Sequence, residues 1–360
     1  MMRIAQLAPL WETVPPLTYG GIELVVSLLT DELVRRGHQV TLFASGDSLT
    51  LAQLEAVHPK ALRLDTAVRE PVMYESLHLG TLYKQAARFD LIHSHIGCSA
   101  LPFAELVTTP TVHTLHGIFT PDNKKIYAFA RQQPYVSISN AQRCSKLGLN
   151  CLATVYNGIA VEQFDFYPRP AEPYYLAFLG RISPEKGVHL AIQIAKQSGF
   201  CLKIAGKIDQ VDQRYFEEQI KPEIDGEQIQ FLGEANHAQK NILLGNAFAT
   251  LFPITWPEPF GLVMIESMAA GTPVIAMNLG SAAEVIQHGK TGFLCSDIDA
   301  CLAALKQVAR LDRINCRLHV VNQFSVQKMV DGYEAVYQQI LAKQFRRNGH
   351  LVGQKYSSGN

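Results

Sequence analysis

The chain predicts an α/β fold of two parallel-sheet domains, and three observations carry that prediction. Short apolar runs alternate with amphipathic segments, a proline-dense stretch interrupts the alternation near the middle, and 360 residues suit two domains better than one. Ile4 to Ala8 reads as a buried strand. Ile22 to Arg36 reads as a helix, because Ile22, Val25, Val26, Leu29 and Leu33 recur at helical spacing. Gly37 suits the left-handed residue that ends such a helix, and Val40 to Ala44 reads as the next strand. Leu91 to Ser94, Thr111 to Leu115, Tyr135 to Ser137 and Ala153 to Tyr156 follow as strands, separated by segments long enough for crossover helices. Repeated crossovers favour parallel pairing.

From Phe164 to Pro173 the density of prolines argues against a continuous helix or a central strand and marks the interdomain linker. The alternation then resumes with strand Tyr175 to Leu179, helix Pro184 to Gln197, strand Leu202 to Ala205, helix Gln213 to Ile224 and strand Ile229 to Leu232. Helix His237 to Leu244, strand Ala249 to Phe252, helix Gly261 to Ala270, strand Pro273 to Ala276 and helix Ala282 to Ile286 complete it. Two adjoining domains of this kind create a cleft beyond the carboxyl ends of their strands.

Apolar residues make up 48% of the chain and charged residues 18%, which excludes a disordered protein. Lys plus Arg number 32 and Asp plus Glu number 32, so no overall field attracts nucleic acid, and a small acidic ligand is favoured over a polymer. The seven cysteines are an odd number without a CxxC pair, arguing against both a disulfide scaffold and a thiolate metal site. Most of them read as small buried hydrophobes in a reducing compartment. The start carries no signal-peptide pattern and no run is apolar enough to span a bilayer, so the expected location is the cytoplasm. Peripheral contact with the inner face of a membrane stays open.

Several segments carry chemistry. Gly20 and Gly21 lie between the first strand and its helix, where paired glycines let the backbone approach a ligand; a structural turn is the alternative. Neither GxGxxG nor a phosphate loop of the GxxxxGK type occurs, which disfavours a nicotinamide dehydrogenase and a nucleoside triphosphatase. Arg181 ends a strand and Lys186 falls in the first turn of the next helix, with Ser183 as its expected N-cap and Pro184 in that turn. Helix starts favour acidic side chains, so two cations there suggest a diphosphate, with a solvated surface pair as the alternative. Glu258 lies in the loop before a helix that contains Glu266. Glu266, among small apolar neighbours, invites sugar or ribose hydroxyls or else faces solvent. His116 ends a strand and could meet a sugar hydroxyl, whereas His113 has the opposite parity. His93 and His95 are two apart but lack further apparent ligands, so no metal site is expected.

This combination resembles the family 4 retaining glycosyltransferases of the GT-B class. The resemblance rests on Gly20-Gly21-Ile22-Glu23, Thr114-Leu115-His116-Gly117, Val155-Tyr156-Asn157-Gly158-Ile159 and Phe178-Leu179-Gly180-Arg181 with Glu185-Lys186-Gly187. It continues through Glu258-Pro259-Phe260-Gly261 with Glu266, and Gly280-Ser281-Ala282-Ala283-Glu284 with Gly289-Lys290-Thr291-Gly292-Phe293. It implies two Rossmann-like domains facing a central cleft: residues 1–165 on the acceptor side and 166–322 on the nucleotide-sugar side. Residues 323–345 would form a helix crossing back to the first domain, with packing wholly on the second domain as the alternative; residues 346–360, polar and glycine-containing, read as a flexible tail. It also implies that Arg181 and Lys186 bind the donor diphosphate and Glu266 the ribose. Glu258 and the backbone around Phe260, Gly261 and Leu262 would meet the sugar or phosphate, and His116 would approach the transferred sugar from the other domain. Gly20 and Gly21 would form the loop closing over both substrates. Ser281 departs from the family, which often has glycine there.

The implied reaction moves a sugar, a hexose by the resemblance, from a nucleotide-diphosphate donor such as a UDP- or GDP-sugar to a small-molecule, glycan or lipid-linked acceptor. Configuration would be retained, with neither metal nor other cofactor. Fixed cations would meet the charge of the departing diphosphate. The same cleft would also serve a nucleotide-sugar epimerase, a glycoside phosphorylase or a non-catalytic nucleotide-sugar-binding protein.

Overall fold

Apolar side chains on both faces of the short runs drive those segments into the middle of two sheets, each covered by helices on both sides. The computed structural model describes residues 1–143 and 147–356, with side chains as far as residue 345. The first domain runs β1 (Arg3–Leu7), α1 (Gly21–Arg35), β2 (Gln39–Phe43), β3 (Gln53–Glu55), α2 (Pro71–Lys84) and β4 (Leu91–Ser94). It continues through α3 (Leu101–Ala104), β5 (Thr111–Leu115), α4 (Asn123–Phe129), β6 (Tyr135–Ser137) and β7 (Cys151–Thr154). These strands form a parallel sheet in the order β3-β2-β1-β4-β5-β6-β7.

The second domain comprises β8 (Tyr175–Leu179), α5 (Val188–Ser198), β9 (Cys201–Ala205), α6 (Gln213–Tyr215), β10 (Ile229–Phe231), α7 (His237–Gly245) and β11 (Ala249–Phe252). Then come α8 (Leu262–Ala269), β12 (Val274–Met277), α9 (Ala282–Val285), β13 (Gly292–Cys295), α10 (Ile298–Leu305) and α11 (Arg313–Gln323). Its sheet is also parallel, in the order β10-β9-β8-β11-β12-β13. Strand order reverses between β1 and β4 in one sheet and between β8 and β11 in the other, and such reversals open crevices at carboxyl ends.

Some elements differ from the sequence expectation. β3 is three residues long and only partly buried, and β13 begins with glycine, so neither carries the apolar run that marks the other strands. β7 starts two residues before Ala153, at Cys151. The helix expected from Pro184 is two elements: a 3₁₀ turn Pro184–Lys186, then α5 from Val188. Gly187 separates them at φ 73°, and a Cβ there would collide with the carbonyl of Pro253. Ser183 does not cap that turn; its hydroxyl is buried without a hydrogen-bond partner. The helix expected over Gln213 to Ile224 is broken into α6, a π turn at Phe216–Ile220 and a 3₁₀ turn holding Pro222.

The long C-terminal helix α12 (Val326–Tyr356) follows α11, which packs on α8 of the second domain. Its apolar stripe of Val326, Met329, Val330, Tyr333, Val336, Tyr337 and Ile340 is buried with Ile4, Val25 and Leu29 of the first. Burying each such side chain contributes roughly 1.5–3 kcal/mol, so this contact ties the two halves strongly. The helix continues past residue 345, where the tail was expected to begin, and residues 357–360 lie outside the described residues. Cys295, Cys301 and Cys316 are buried; Cys98, Cys151 and Cys201 are partly exposed, and Cys144 lies outside the described residues.

Candidate functional site

A cleft of about 380 Å³ lies between the carboxyl ends of the two sheets. Gly20, Gly21, His116, Arg181, Lys186, Glu258, Phe260, Gly261, Leu262 and Glu266 all line it. Residues scattered over most of the sequence therefore share one space.

The cations of the second domain are held by carboxylates. Lys186 Nζ donates to Glu258 Oε2 at 2.5 Å, and the same oxygen accepts from Trp256 Nε1 at 2.7 Å. The ammonium also sits 5.3 Å from the Trp256 ring centroid, a cation–π arrangement. Glu258 is only 8% exposed, so its oxygens take their hydrogen bonds from these protein donors rather than from water. Arg181 pairs with Glu185 and lies 3.6 Å from Asp209 and 3.8 Å from Asp212. Its Nε is buried with no hydrogen-bond partner, leaving one directed donor unused. Arg181 and Lys186 are both partly buried at the cleft.

Glu266 is 3% exposed, which removes the solvent-facing alternative. Lys240 of α7 donates to its Oε1 at 2.8 Å. No sequence signal singled out Lys240: it lies 26 residues away and inside an ordinary amphipathic helix. Gly261 enters α8 in the left-handed region, at φ 79°. The first amides of a helix lack intrahelical acceptors, so those following Gly261 are available to an anion or a hydroxyl. At the departure from the family, the Ser281 hydroxyl donates to the Phe260 carbonyl at 2.7 Å and its amide to the Glu258 carbonyl at 3.0 Å. The side chain that glycine would lack thus fastens the loop carrying Glu258.

The first domain reaches across. Gly20 has φ 148°, and a Cβ there would come within 2.7 Å of Pro16 Cβ, so only glycine lets the loop fold this tightly. Thr18 donates to Glu234 Oε2 at 2.7 Å, Arg63 bridges Glu12 at 3.1 Å and Glu234 at 3.3 Å, and Lys207 lies 5.1 Å from the Tyr19 ring centroid. Lys207 stands just beyond β9 and Glu234 just beyond β10, positions that the strand-end rule would have flagged. Glu23, buried in the first turn of α1, has its carboxyl pushed up to about 7 by that burial.

His116 faces the cations from the end of β5. Burial lowers its pKa to about 4, so the ring is neutral at neutral pH. Its Nε2 lies 2.9 Å from His95 Nδ1. His93 and His95 belong to a buried hydrogen-bond network with Gln6, Thr114 and Tyr337, a partnership that their two-residue spacing did not reveal. Among the described residues, no group of three His, Cys, Asp or Glu side chains is arranged to hold a metal ion.

Two family models match the chain. The model described as Glycosyltransferase Family 4 covers residues 19–163, and the one described as Glycosyl transferases group 1 covers residues 161–321. A glycogen synthase of Mycobacterium tuberculosis is 26% identical over 85% of this chain and 86% of its own. A phosphatidyl-myo-inositol mannosyltransferase of Mycobacterium leprae is 26% identical over 86% of this chain and 87% of its own. Among solved structures, AviGT4, a glycosyltransferase involved in avilamycin A biosynthesis, superposes with a TM-score of 0.73 at 24% identity, over 95% of this chain and 99% of that one. Anabaena Alr3699/HepE, in complex with UDP and glucose, gives a TM-score of 0.73 at 21% identity, over 94% of this chain and all of that one, 100%. These likenesses identify the two-domain fold as the GT-B arrangement.

Proposed function

Since this chain belongs to glycosyltransferase family 4, we propose that it transfers a hexosyl unit from a nucleoside-diphosphate sugar to a hydroxyl of a glycan or lipid-linked acceptor, with retention of configuration. The observation that carries this reading is the convergence of Arg181 and Lys186 with the facing His116 in one cavity, above the buried Glu266. The relatives named for glycogen and phosphatidyl-myo-inositol supply the hexose and the acceptor classes, and the neighbour holding UDP and glucose supplies the donor class.

In this reading the donor diphosphate lies against Lys186 and Arg181. Lys has three donors and Arg five, so phosphate oxygens can join their existing carboxylate partners. Glu266 receives the ribose hydroxyls beside Lys240. Glu258 and the amides around Phe260, Gly261 and Leu262 orient the sugar, and Gly20 and Gly21 close the loop over donor and acceptor. As the anomeric carbon–oxygen bond breaks, negative charge grows on the leaving phosphate, and the fixed cations stabilise it without a metal ion. Attack from the same face lets that phosphate oxygen take the acceptor proton. His116, being neutral, bonds a hydroxyl of the transferred sugar without adding positive charge beside the developing oxocarbenium. Excluding water from the cleft limits donor hydrolysis. The work would take place in the cytoplasm, at the membrane's inner face when the acceptor is lipid-linked.

A thermal-shift screen of UDP-, GDP- and ADP-sugars tests the donor first, because a ligand of the folded state raises its melting temperature. Product analysis with the stabilising donor and a glycan or lipid-linked acceptor panel should give a new glycoside with the donor's anomeric configuration and free nucleoside diphosphate. An epimerised donor without acceptor, a sugar phosphate formed with inorganic phosphate, or binding without turnover across the panel would overturn the transferase reading.

A further inference from the structure

The histidine ring at the cleft is the outer end of a hydrogen-bond chain that runs through the first domain's core into the C-terminal helix. His116 Nε2 lies 2.9 Å from His95 Nδ1, and His95 Nε2 lies 3.1 Å from Gln6 Oε1. Gln6 Nε2 donates to the Tyr337 hydroxyl at 3.2 Å, and that hydroxyl lies 2.7 Å from His93 Nδ1. His93 Nε2 lies 2.7 Å from Thr114 Oγ1, which lies 3.0 Å from the Tyr333 hydroxyl. All but His116 are almost wholly buried, so no water competes for these bonds.

We propose that Tyr337 and Tyr333 of α12 are positioning residues for His116, acting through this chain to fix which ring nitrogen carries its proton. The inference rests on the reading above that His116 meets the transferred sugar. A glutamine Oε1 only accepts, so His95 Nε2 must carry a hydrogen. Burial keeps the His95 and His93 rings neutral, so His95 Nδ1 is then an acceptor and His116 Nε2 must donate to it. That leaves His116 Nδ1 as a lone pair for a hydroxyl in the cavity.

The far side obeys the same polarity. The Gln6 amide donates to Tyr337, whose single hydrogen goes to His93 Nδ1, and His93 Nε2–H goes to Thr114. Turning the Gln6 amide over would reverse these bonds and make His116 Nδ1 a donor. The Tyr337 hydroxyl, accepting from Gln6 while donating to His93, couples that amide to the C-terminal helix packed on the first domain. Tyr333, at the end of the chain, has the weaker influence. Tyr→Phe isolates this effect from packing, because both rings keep their contacts with His93, at centroid distances of 4.8 and 5.6 Å.

The test uses the full chain and two readouts. Long-range ¹⁵N–¹H correlation spectra of ¹⁵N-histidine protein should show His116 as a single Nε2–H tautomer in the wild type and as a mixture in Tyr337→Phe. With the donor found in the screen, Tyr337→Phe should lower kcat roughly fivefold, the worth of about one hydrogen bond, and leave the donor KM unchanged. Tyr333→Phe should lower it less. In a His116→Ala background, Tyr337→Phe should cause no further loss. An unshifted tautomer in Tyr337→Phe, or an equal loss in both backgrounds, would overturn the proposal and leave α12 as packing alone. If Tyr337→Phe does not fold, Gln6→Met cuts the same chain at its centre and must produce the same mixture. A wild type that transfers no sugar would sink the proposed function, while the tautomer spectra would still decide this inference.

Discussion

At the carboxyl ends of the second sheet the cleft is lined by charges in pairs, Lys186 with Glu258, Lys240 with Glu266 and Arg181 with Glu185. At the corresponding ends of the first sheet, around His116, the polar groups are neutral: histidines, a glutamine, a threonine and two tyrosines joined in one chain. Both sheets are parallel and both reverse strand order at their centre, so topology does not account for the difference. The chemistry proposed for each wall would account for it. A diphosphate needs fixed positive charge, and carboxylate partners hold those cations in place at bearable desolvation cost. A sugar ring gaining positive character needs dipoles of set direction without another cation beside it, which buried neutral imidazoles provide.

Acid should break the comparison most severely, through the neutral wall and its surroundings. Burial lowers the pKa of His78 to about 4 and of His113 to about 3, and holds His93 and His95 well below the usual imidazole value. In the unfolded chain these rings take up protons near pH 6.5, whereas in the folded chain they do not. Stability is therefore lost as pH falls below about 6.5, by up to about 1.4 kcal/mol per ring per pH unit. Glu23 works the other way, since its carboxyl, raised to about 7, favours the folded state as pH falls from about 7 towards its unfolded value. One carboxyl does not offset four rings. Urea unfolding at pH 7 and pH 5.5 should show a marked loss of stability at the lower value; equal midpoints would mean that the histidines are not buried as neutral rings.

The charged wall should be the next most sensitive. Lys186→Ala and Arg181→Ala should each lower kcat/KM by about 10²–10³-fold, the usual scale for a lost electrostatic stabiliser, with weaker donor binding and an intact fold. Near-normal turnover in both would remove their assigned role. His116→Ala should separate the walls, costing about 10- to 100-fold in kcat while leaving nucleoside-diphosphate affinity unchanged. A matching loss of affinity would place His116 with the phosphate site instead. The smallest effect is expected for Glu266→Ala, a rise in donor KM of about tenfold or less with kcat retained. An unchanged donor titration would return Glu266 to a structural partner of Lys240.

Much of this architecture was legible in the chain because buried parallel strands announce themselves as apolar runs. Leu91 to Ser94, Thr111 to Leu115, Tyr175 to Leu179 and Ala249 to Phe252 have the same bounds in the structure. Gln53–Glu55 was not legible, since a short polar strand at a sheet edge has no such run. The break at Gly187 was missed because capping logic favours Ser183 and Pro184 at a helix start, while the close approach of Pro253 that demands the glycine comes from a distant segment. The cleft side chains were reached through strand ends and motif resemblance, but their partners were not. Lys240 meets Glu266, and Tyr337 meets His93, only through the packing of elements separated in sequence. Local spacing holds no record of such contacts.

The division of labour between the two walls meets its most direct test in a crystal structure of the chain with the nucleoside-diphosphate sugar that stabilises it. Phosphate oxygens should lie within hydrogen-bond distance of Lys186 Nζ and the Arg181 guanidinium, with the sugar turned toward His116. Phosphates held elsewhere, with Arg181 and Lys186 still bonded only to their carboxylates, would contradict it.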